Sequence, residues 1–87
     1  MAQVYLPRQL VAIISGLPKQ AEIEAHSVKE LIAAVDARWP GVQMCLCATG
    51  KSLREHIKIF VDGQPSTLEM LVQPNATVRI ITAVSGG

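Results

Sequence analysis

The sequence is poor in the features that mark most specialised protein classes. Aromatic residues make up 3% of its 87 residues, and it contains only two cysteines. Charged residues account for 17%, and eight basic side chains nearly balance seven acidic ones, so the net charge is +1. This composition argues against a disulfide-rich secreted scaffold, an electrostatic nucleic-acid-binding surface and a disordered chain.

Long apolar stretches are also missing. An apolar patch occupies residues 10–14, but Pro7 and Arg8 interrupt the opening segment, so it lacks the form of a secretory signal. No apolar run approaches the ~20 residues that span a bilayer. Cys45 and Cys47 are too close in sequence to cross-link the fold usefully. We therefore expect a cytoplasmic protein with no membrane contact, in which the two thiols stay reduced.

What the sequence does contain is enough apolar residue, 49%, for one small core. The clearest local pattern is a capped amphipathic helix over residues 27–39. Ser27 and Glu30 have the spacing of a capping box, and Pro40 and Gly41 end the element. The stripe that this helix should bury consists of Val28, Leu31, Ile32 and Val35.

Strand patterns lie on both sides of this helix. The alternating or β-branched segments predicted as strands are 3–6, 20–24, 57–61 and 77–83. Asp62 and Gly63 predict a tight turn after the third of them. Residues 10–14 are either another strand or a loop that packs inward. Residues 42–55 are expected to form a short helical turn and a loop, and 67–71 one helical turn.

No motif predicts catalysis or metal binding. The segment at 48–52 ends like a phosphate-binding loop, but Cys45 stands where that loop needs its first glycine. The two cysteines lack the spacing of a redox pair and the partners of a zinc site. His26 and His56 have no nucleophile nearby in sequence and are read as surface residues. We therefore expect no catalytic side chain and no bound metal or cofactor.

The most informative segment is the last one, where a strand runs into Val84, Ser85, Gly86 and Gly87. A disordered or accidental glycine end is the simpler interpretation. Glycine backbone, however, can enter a channel too narrow for side chains, and a glycine carboxylate is an unhindered acyl group. From residue 83 to 87 an extended chain reaches at most ~16–18 Å. We expect a flexible tail at 84–87 that carries a free carboxylate into a partner's active site, beyond a domain at 1–83.

Taken together, the order of elements and the glycine end resemble the ubiquitin-like β-grasp sulfur carriers of the MoaD and ThiS family. The resemblance covers nearly the whole chain, through the segments 27–41, 50–63 and 78–87. Asp62 replaces the asparagine usual in that family, and 73–75 form a different turn from the usual one. The fold that the resemblance implies is α+β: a mixed four- to five-stranded sheet packed on one main helix.

The resemblance also implies a mechanism. A ubiquitin-activating-like enzyme would use ATP to adenylate the Gly87 carboxylate, and a sulfur donor would displace AMP to leave a thiocarboxylate. A downstream sulfur-accepting enzyme would then use that sulfur in cofactor, cysteine or siderophore-type biosynthesis. Gly86 would let the backbone pass a constriction, while Ser85 and Val84 would form the stalk. The chain itself would be a carrier and not an enzyme.

Partner recognition is assigned to the face of the sheet that the helix does not cover. Strand alternation places Phe60 and Ile81 on that face, next to Arg79. An exposed aromatic beside an aliphatic residue is a candidate docking surface. The alternative is that another segment, such as 10–14, covers these side chains.

Three other functions remain open at this point. The chain is long for a thiamine-pathway carrier, and its segment 42–56 is more similar to the molybdopterin type or to the carriers used in cysteine and siderophore sulfuration. It could therefore be the small subunit of molybdopterin synthase. A second alternative is a protein modifier joined to lysines through Gly87. A third is a plain β-grasp binding module. The sequence does not determine the pathway, the sulfur donor, the acceptor or the oligomeric state.

Overall fold

The computed structural model describes residues 1–48 and 52–82, which form a mixed sheet with helices on one side. The elements in chain order are β1 (Ala2–Tyr5), α1 (Arg8–Ile13), β2 (Gln20–Ile23), α2 (Val28–Arg38), α3 (Val42–Leu46), β3 (Cys47–Ala48), β4 (Ser52–Leu53), β5 (Ile57–Val61), β6 (Gln64–Pro65) and β7 (Thr77–Thr82). The main sheet has the order β2-β1-β7-β5-β6, with β1 and β7 parallel and the other pairs antiparallel. This is the α+β, β-grasp arrangement that the family resemblance implied.

The predicted main helix is α2, and its first turn is fully hydrogen-bonded. The Glu30 amide donates to Ser27 Oγ at 3.1 Å, as the capping box requires. The Glu30 carboxylate accepts from the His26 amide at 3.3 Å, one residue earlier than in the usual motif. The Val28 amide donates to the Met70 carbonyl, and the Lys29 amide donates to the Leu68 carbonyl. Both carbonyls belong to the loop between β6 and β7. Residues 67–71 therefore form a turn that holds the helix start, not the predicted helical turn.

The core confirms the predicted pattern of burial. The four residues of the predicted helix stripe lie in one cluster with the alternate apolar residues of the two predicted strands that became β5 and β7. All have exposures of 6% or less: Val28, Leu31, Ile32, Val35, Ile57, Ile59, Val61, Val78 and Ile80. In β5 the buried residues alternate with Lys58, which is exposed, and Phe60, which is half-buried. The sheet therefore has one face on the core and one face turned away from it.

Residues 10–14 are the main correction to the sequence-based prediction. They belong largely to α1 and not to a strand or a loop. Leu10 and Ile14, four residues apart, are both buried, whereas Ile13 is 70% exposed. That spacing is helical, and a proline just before the first turn, here Pro7, suits a helix start. The β-branched residues favoured a strand, but tertiary packing of one helical stripe overrides that preference.

The segment 42–55 contains the expected short helix, α3, followed by a two-stranded hairpin of β3 and β4. Ser52 lies in a strand, whereas a phosphate-binding loop would place it at the start of a helix. Residues 49–51 between the two strands lie outside the described residues. The Asp36 carboxylate accepts hydrogen bonds from amides at the start of α3, and the Arg54 guanidinium donates to the Met44 carbonyl within it. In the described ranges, 1–48 and 52–82, no helix has the length and hydrophobicity needed to cross a membrane.

Candidate functional site

The candidate site is the sheet face that turns away from the core, where β5 and β7 lie side by side. In their antiparallel register Phe60 is directly opposite Arg79, and Lys58 is directly opposite Ile81. Opposite residues of an antiparallel pair project from the same face, with Cβ atoms about 4.5–5.5 Å apart. These four residues therefore form one cluster, which we call the β5–β7 patch.

The patch is open to solvent. Ile81 is 43% exposed, Lys58 and Arg79 are exposed, and Phe60 is half-buried. Phe60 also lines a shallow cavity of about 350 Å³ with Pro65 and Ser66, at the edge of the sheet. The expected placement of Phe60 and Ile81 on an uncovered face is thus correct. The alternative, that 10–14 covers them, is wrong because Leu10 and Ile14 are buried in the core on the other side. Whether the patch binds a partner stays a prediction.

Tyr5 is a member of this surface that the sequence analysis missed. Its ring lies under the Arg79 guanidinium, with 4.3 Å from Cζ to the ring centroid. β1 and β7 pair in parallel with Tyr5 beside Arg79, which brings the two side chains together. In the sequence, Tyr5 stands out only as an aromatic residue at a position of the first strand that faces away from the core. This position becomes informative only when the strand order is known.

The other half of the face is polar and internally bonded. The side-chain amide of Gln20 donates to the side-chain oxygen of Gln3 at 2.6 Å. The side-chain amide of Gln3 in turn donates to the Glu22 carboxylate at 3.0 Å. These three side chains satisfy one another across β1 and β2. The apolar and cationic groups of the face are therefore concentrated on β5 and β7.

Thr82 is the last described residue and stands opposite Ile57 at the start of β5. The segment that follows it thus begins on the same strand as Arg79 and Ile81. Val84, Ser85, Gly86 and Gly87 lie outside the described residues, and so does the expected domain boundary near residue 83. Their assigned roles stay predictions.

The cysteines and histidines do not assemble into a reactive centre. Both cysteines are free thiols; Cys47 is buried and Cys45 half-buried. Burial raises the pKa of the Cys47 thiol, against a smaller lowering effect of the nearby Arg54 charge, so this thiol is protonated at neutral pH. His26 is exposed and lies 3.4 Å from the Glu30 carboxylate. Among the residues that the structure describes, no group of three or more His, Cys, Asp or Glu side chains could hold a metal ion.

Comparison with solved structures shows close relatives of this fold. CysO in the crystal structure of the Amycolatopsis orientalis BexX/CysO complex superposes with a TM-score of 0.89 at 27% identity, covering 100% of both chains. Mycobacterium tuberculosis CysO gives 0.87 at 19% identity, covering 97% of this chain and 100% of that one. Small archaeal modifier protein 1 from Methanosarcina acetivorans gives 0.78 at 18% identity, with 99% and 95% covered.

One of two sequence comparisons agrees with this likeness. No sequence among the curated proteins matches the chain significantly. The model of the ThiS family, in contrast, matches residues 4–87, which is almost the whole chain and includes both terminal glycines. The chain therefore belongs to the ThiS family and is a ubiquitin-like sulfur carrier of the β-grasp fold.

Proposed function

We propose that the working group of this carrier is the Gly87 carboxylate, and that it travels as a thiocarboxylate. The observation that carries the proposal is the ThiS-family match, which runs through the sheet and on to Gly87. The open sheet face of the described part of the chain presents the β5–β7 patch, on which we expect a partner enzyme to dock. In this proposal the chain is a co-substrate and supplies no catalytic side chain.

The chemistry requires two steps. A carboxylate oxygen of Gly87 first attacks the α-phosphorus of ATP on an adenylating enzyme, which releases pyrophosphate and leaves an acyl adenylate. A sulfide-level sulfur donor then attacks the acyl carbon, the bond to the AMP oxygen breaks, and AMP leaves. The product is the Gly87 thiocarboxylate, a soft nucleophile that a sulfur-accepting enzyme can use. Glycine suits this carbon because it has no side chain to hinder the attack.

Docking on the β5–β7 patch would position the tail for these steps. Arg79 and Ile81 stand on β7 within the last three residues before Thr82, from which the tail continues. An extended tail of five residues reaches about 16–18 Å. The tail can therefore deliver Gly87 to an active site of the docked partner that lies within this distance of the end of β7. The relative in the BexX/CysO complex is likewise bound to another protein, and we propose that this chain binds its activating enzyme in a comparable way.

Mass spectrometry of the intact chain tests the proposal. A chain that ends at Gly87 is incubated with ATP, a sulfide source and an adenylating enzyme from the same cells. We expect a gain equal to the mass difference between one sulfur and one oxygen atom. A chain with Gly87 deleted serves as the control and should gain nothing. If the deleted chain gains the same mass, or the intact chain never does, the thiocarboxylate proposal is wrong.

Three further observations separate the other functions named above. Conjugates of higher mass on lysines of other proteins would indicate a protein modifier. A stable complex with one larger chain that encloses the tail would indicate a synthase subunit. If deletion of Gly86 and Gly87 has no effect in cells, the chain is a plain binding module.

A further inference from the structure

We propose that the β5–β7 patch recognises an acidic protein surface, in which two carboxylates flank an apolar side chain. This inference rests on the proposed function, because it takes the adenylating enzyme as the protein that carries that surface. It adds the chemical character of the partner and two cationic residues, Lys58 and Arg79, as determinants of specificity.

The first argument is the arrangement of the four side chains. β5 presents Lys58 and Phe60, and β7 presents Ile81 and Arg79, each directly opposite the residue of the other kind. The two apolar side chains therefore lie on one diagonal of the patch and the two cations on the other. Diagonal neighbours across a strand pair are about 7–8 Å apart. A partner that covers the apolar diagonal must place its own groups next to both cations.

The second argument is that no carboxylate in the described part of the chain lies within ion-pair distance of these cations. In the described part of the chain, Lys58 and Arg79 have no carboxylate within 4 Å, and the ion pair that is present joins His26 and Glu30 on the far side. Glu22 shares the face but stands on β2, two strands away from β7, and its carboxylate is bonded to Gln3. A neutral partner would remove water from these two cations without replacing it, which costs binding free energy. Carboxylates on the partner would offset that cost.

The third argument is that Arg79 is already oriented. The guanidinium carbon of Arg79, Cζ, lies 4.3 Å from the centroid of the Tyr5 ring. The ring therefore covers one flat face of the guanidinium. The N–H donors at the edge of a guanidinium remain free in such a stack and match the two oxygens of a carboxylate. Because the stack limits the freedom of the side chain, less conformational entropy is lost when a partner binds. Tyr5 is thus a positioning residue for Arg79.

Charge reversal with a matched control tests the inference. The patch variant combines Lys58→Glu with Arg79→Glu, and the control combines Arg8→Glu with Lys29→Glu, which are exposed residues at the starts of α1 and α2. Both variants change the net charge equally. Affinity for the adenylating enzyme is measured by calorimetric titration at low and high salt. Melting temperatures check that both variants are folded.

At low salt we expect the patch variant to bind the adenylating enzyme about a hundredfold more weakly than the unsubstituted chain does. The control variant should have an affinity within about threefold of that of the unsubstituted chain. The unsubstituted chain should lose affinity as salt is raised, and the patch variant should not. An intermediate loss is expected for Tyr5→Leu, with unchanged salt dependence, because the charge remains but its orientation is lost.

Other results would overturn the inference without touching the proposed function. If both double variants bind equally well while Gly87 still gains sulfur, the enzyme does not read these charges. If the unsubstituted chain alone forms a dimer that the patch variant loses, the occupant of the patch is a second copy of the chain. If the enzyme binds with the expected charge dependence but Gly87 never gains sulfur, the inference stands and the proposed function fails. Absence of any binding overturns both.

Discussion

Two aspartates show how single residues fix the geometry of this chain. Asp36, in the last turns of α2, accepts hydrogen bonds from the amides of Gly41 and Gln43, both at 3.0 Å. It thereby takes the place of an N-cap for α3, since Gly41 at φ 109° has no side chain to offer. Asp62 has φ 50° and accepts from the Thr77 amide at 2.9 Å, which closes the end of the β5–β7 pair.

The first residue-scale prediction concerns Asp36→Ala. It leaves two half-buried amides without their acceptor, and we expect the free energy of unfolding to fall by about 1–2 kcal/mol. Urea denaturation measures the change. Asp36→Asn is the matched control, because its amide oxygen can still accept, and it should lose less. Equal stability of Asp36→Ala and the unsubstituted chain would show that α3 does not depend on this cap.

The sequence predicted some side chains and not others for a simple physical reason. The Ser27–Glu30 cap and the Asp62–Gly63 turn depend on neighbours within a few residues, and Gly63 has the positive φ, 84°, that such a turn needs. The Tyr5–Arg79 contact joins residues 74 positions apart, and it exists because β1 and β7 are adjacent in the sheet. Local rules contain no information on that adjacency.

At the scale of elements, α2 and α1 show the same contrast. α2 was predictable because its cap, stripe and terminal Pro40 and Gly41 all indicate one helix. α1 has only six residues, and neither a side-chain cap nor a charged residue favours its ends. Its β-branched residues, Val11 and Ile13, prefer extended backbone, and burial of Leu10 and Ile14 against the rest of the core decides the outcome.

The patch on β5 and β7 leads to a prediction at this scale. Phe60→Ala and Ile81→Ala should each weaken binding to the adenylating enzyme by more than about fivefold, because an apolar anchor is lost from the centre of the interface. Calorimetric titration measures the affinity. Ile13→Ala is the matched control, since Ile13 is a 70% exposed residue on α1, away from the patch, and it should bind normally.

Folding distinguishes the possible causes of a loss. Phe60 is half-buried and Ile81 exposed, so their truncation should shift the melting temperature far less than truncation of a core residue. Unchanged affinity of both Phe60→Ala and Ile81→Ala would show that the docking surface lies elsewhere on the molecule. A loss in Ile13→Ala equal to that in Ile81→Ala would have the same consequence.

For the molecule as a whole, stability and function are assigned to different parts of the chain. Within the described ranges, 1–48 and 52–82, the buried core residues run from Ala2 to Ile80. The group that we propose to react, on Gly87, lies beyond the described residues. Sequence periodicity could predict the core because burial follows the spacing of apolar residues. The reactive end follows instead from the chemistry of glycine and from the family resemblance, which the ThiS-family match now supports.

This separation gives the last prediction, in which two variants have opposite effects. Gly86→Val should leave the melting temperature nearly unchanged, because no core residue is altered, but should abolish sulfur loading by blocking entry of the tail into the activating enzyme. Ile32→Val, in the fully buried stripe of α2, should lower the free energy of unfolding by about 0.5–1.5 kcal/mol and load normally while folded. Thermal unfolding and intact-mass measurement on the same samples give both quantities. If Gly86→Val loads as well as the unsubstituted chain, the tail does not pass a constriction; if it melts earlier, the last residues contribute to the fold and the domain does not end near residue 83.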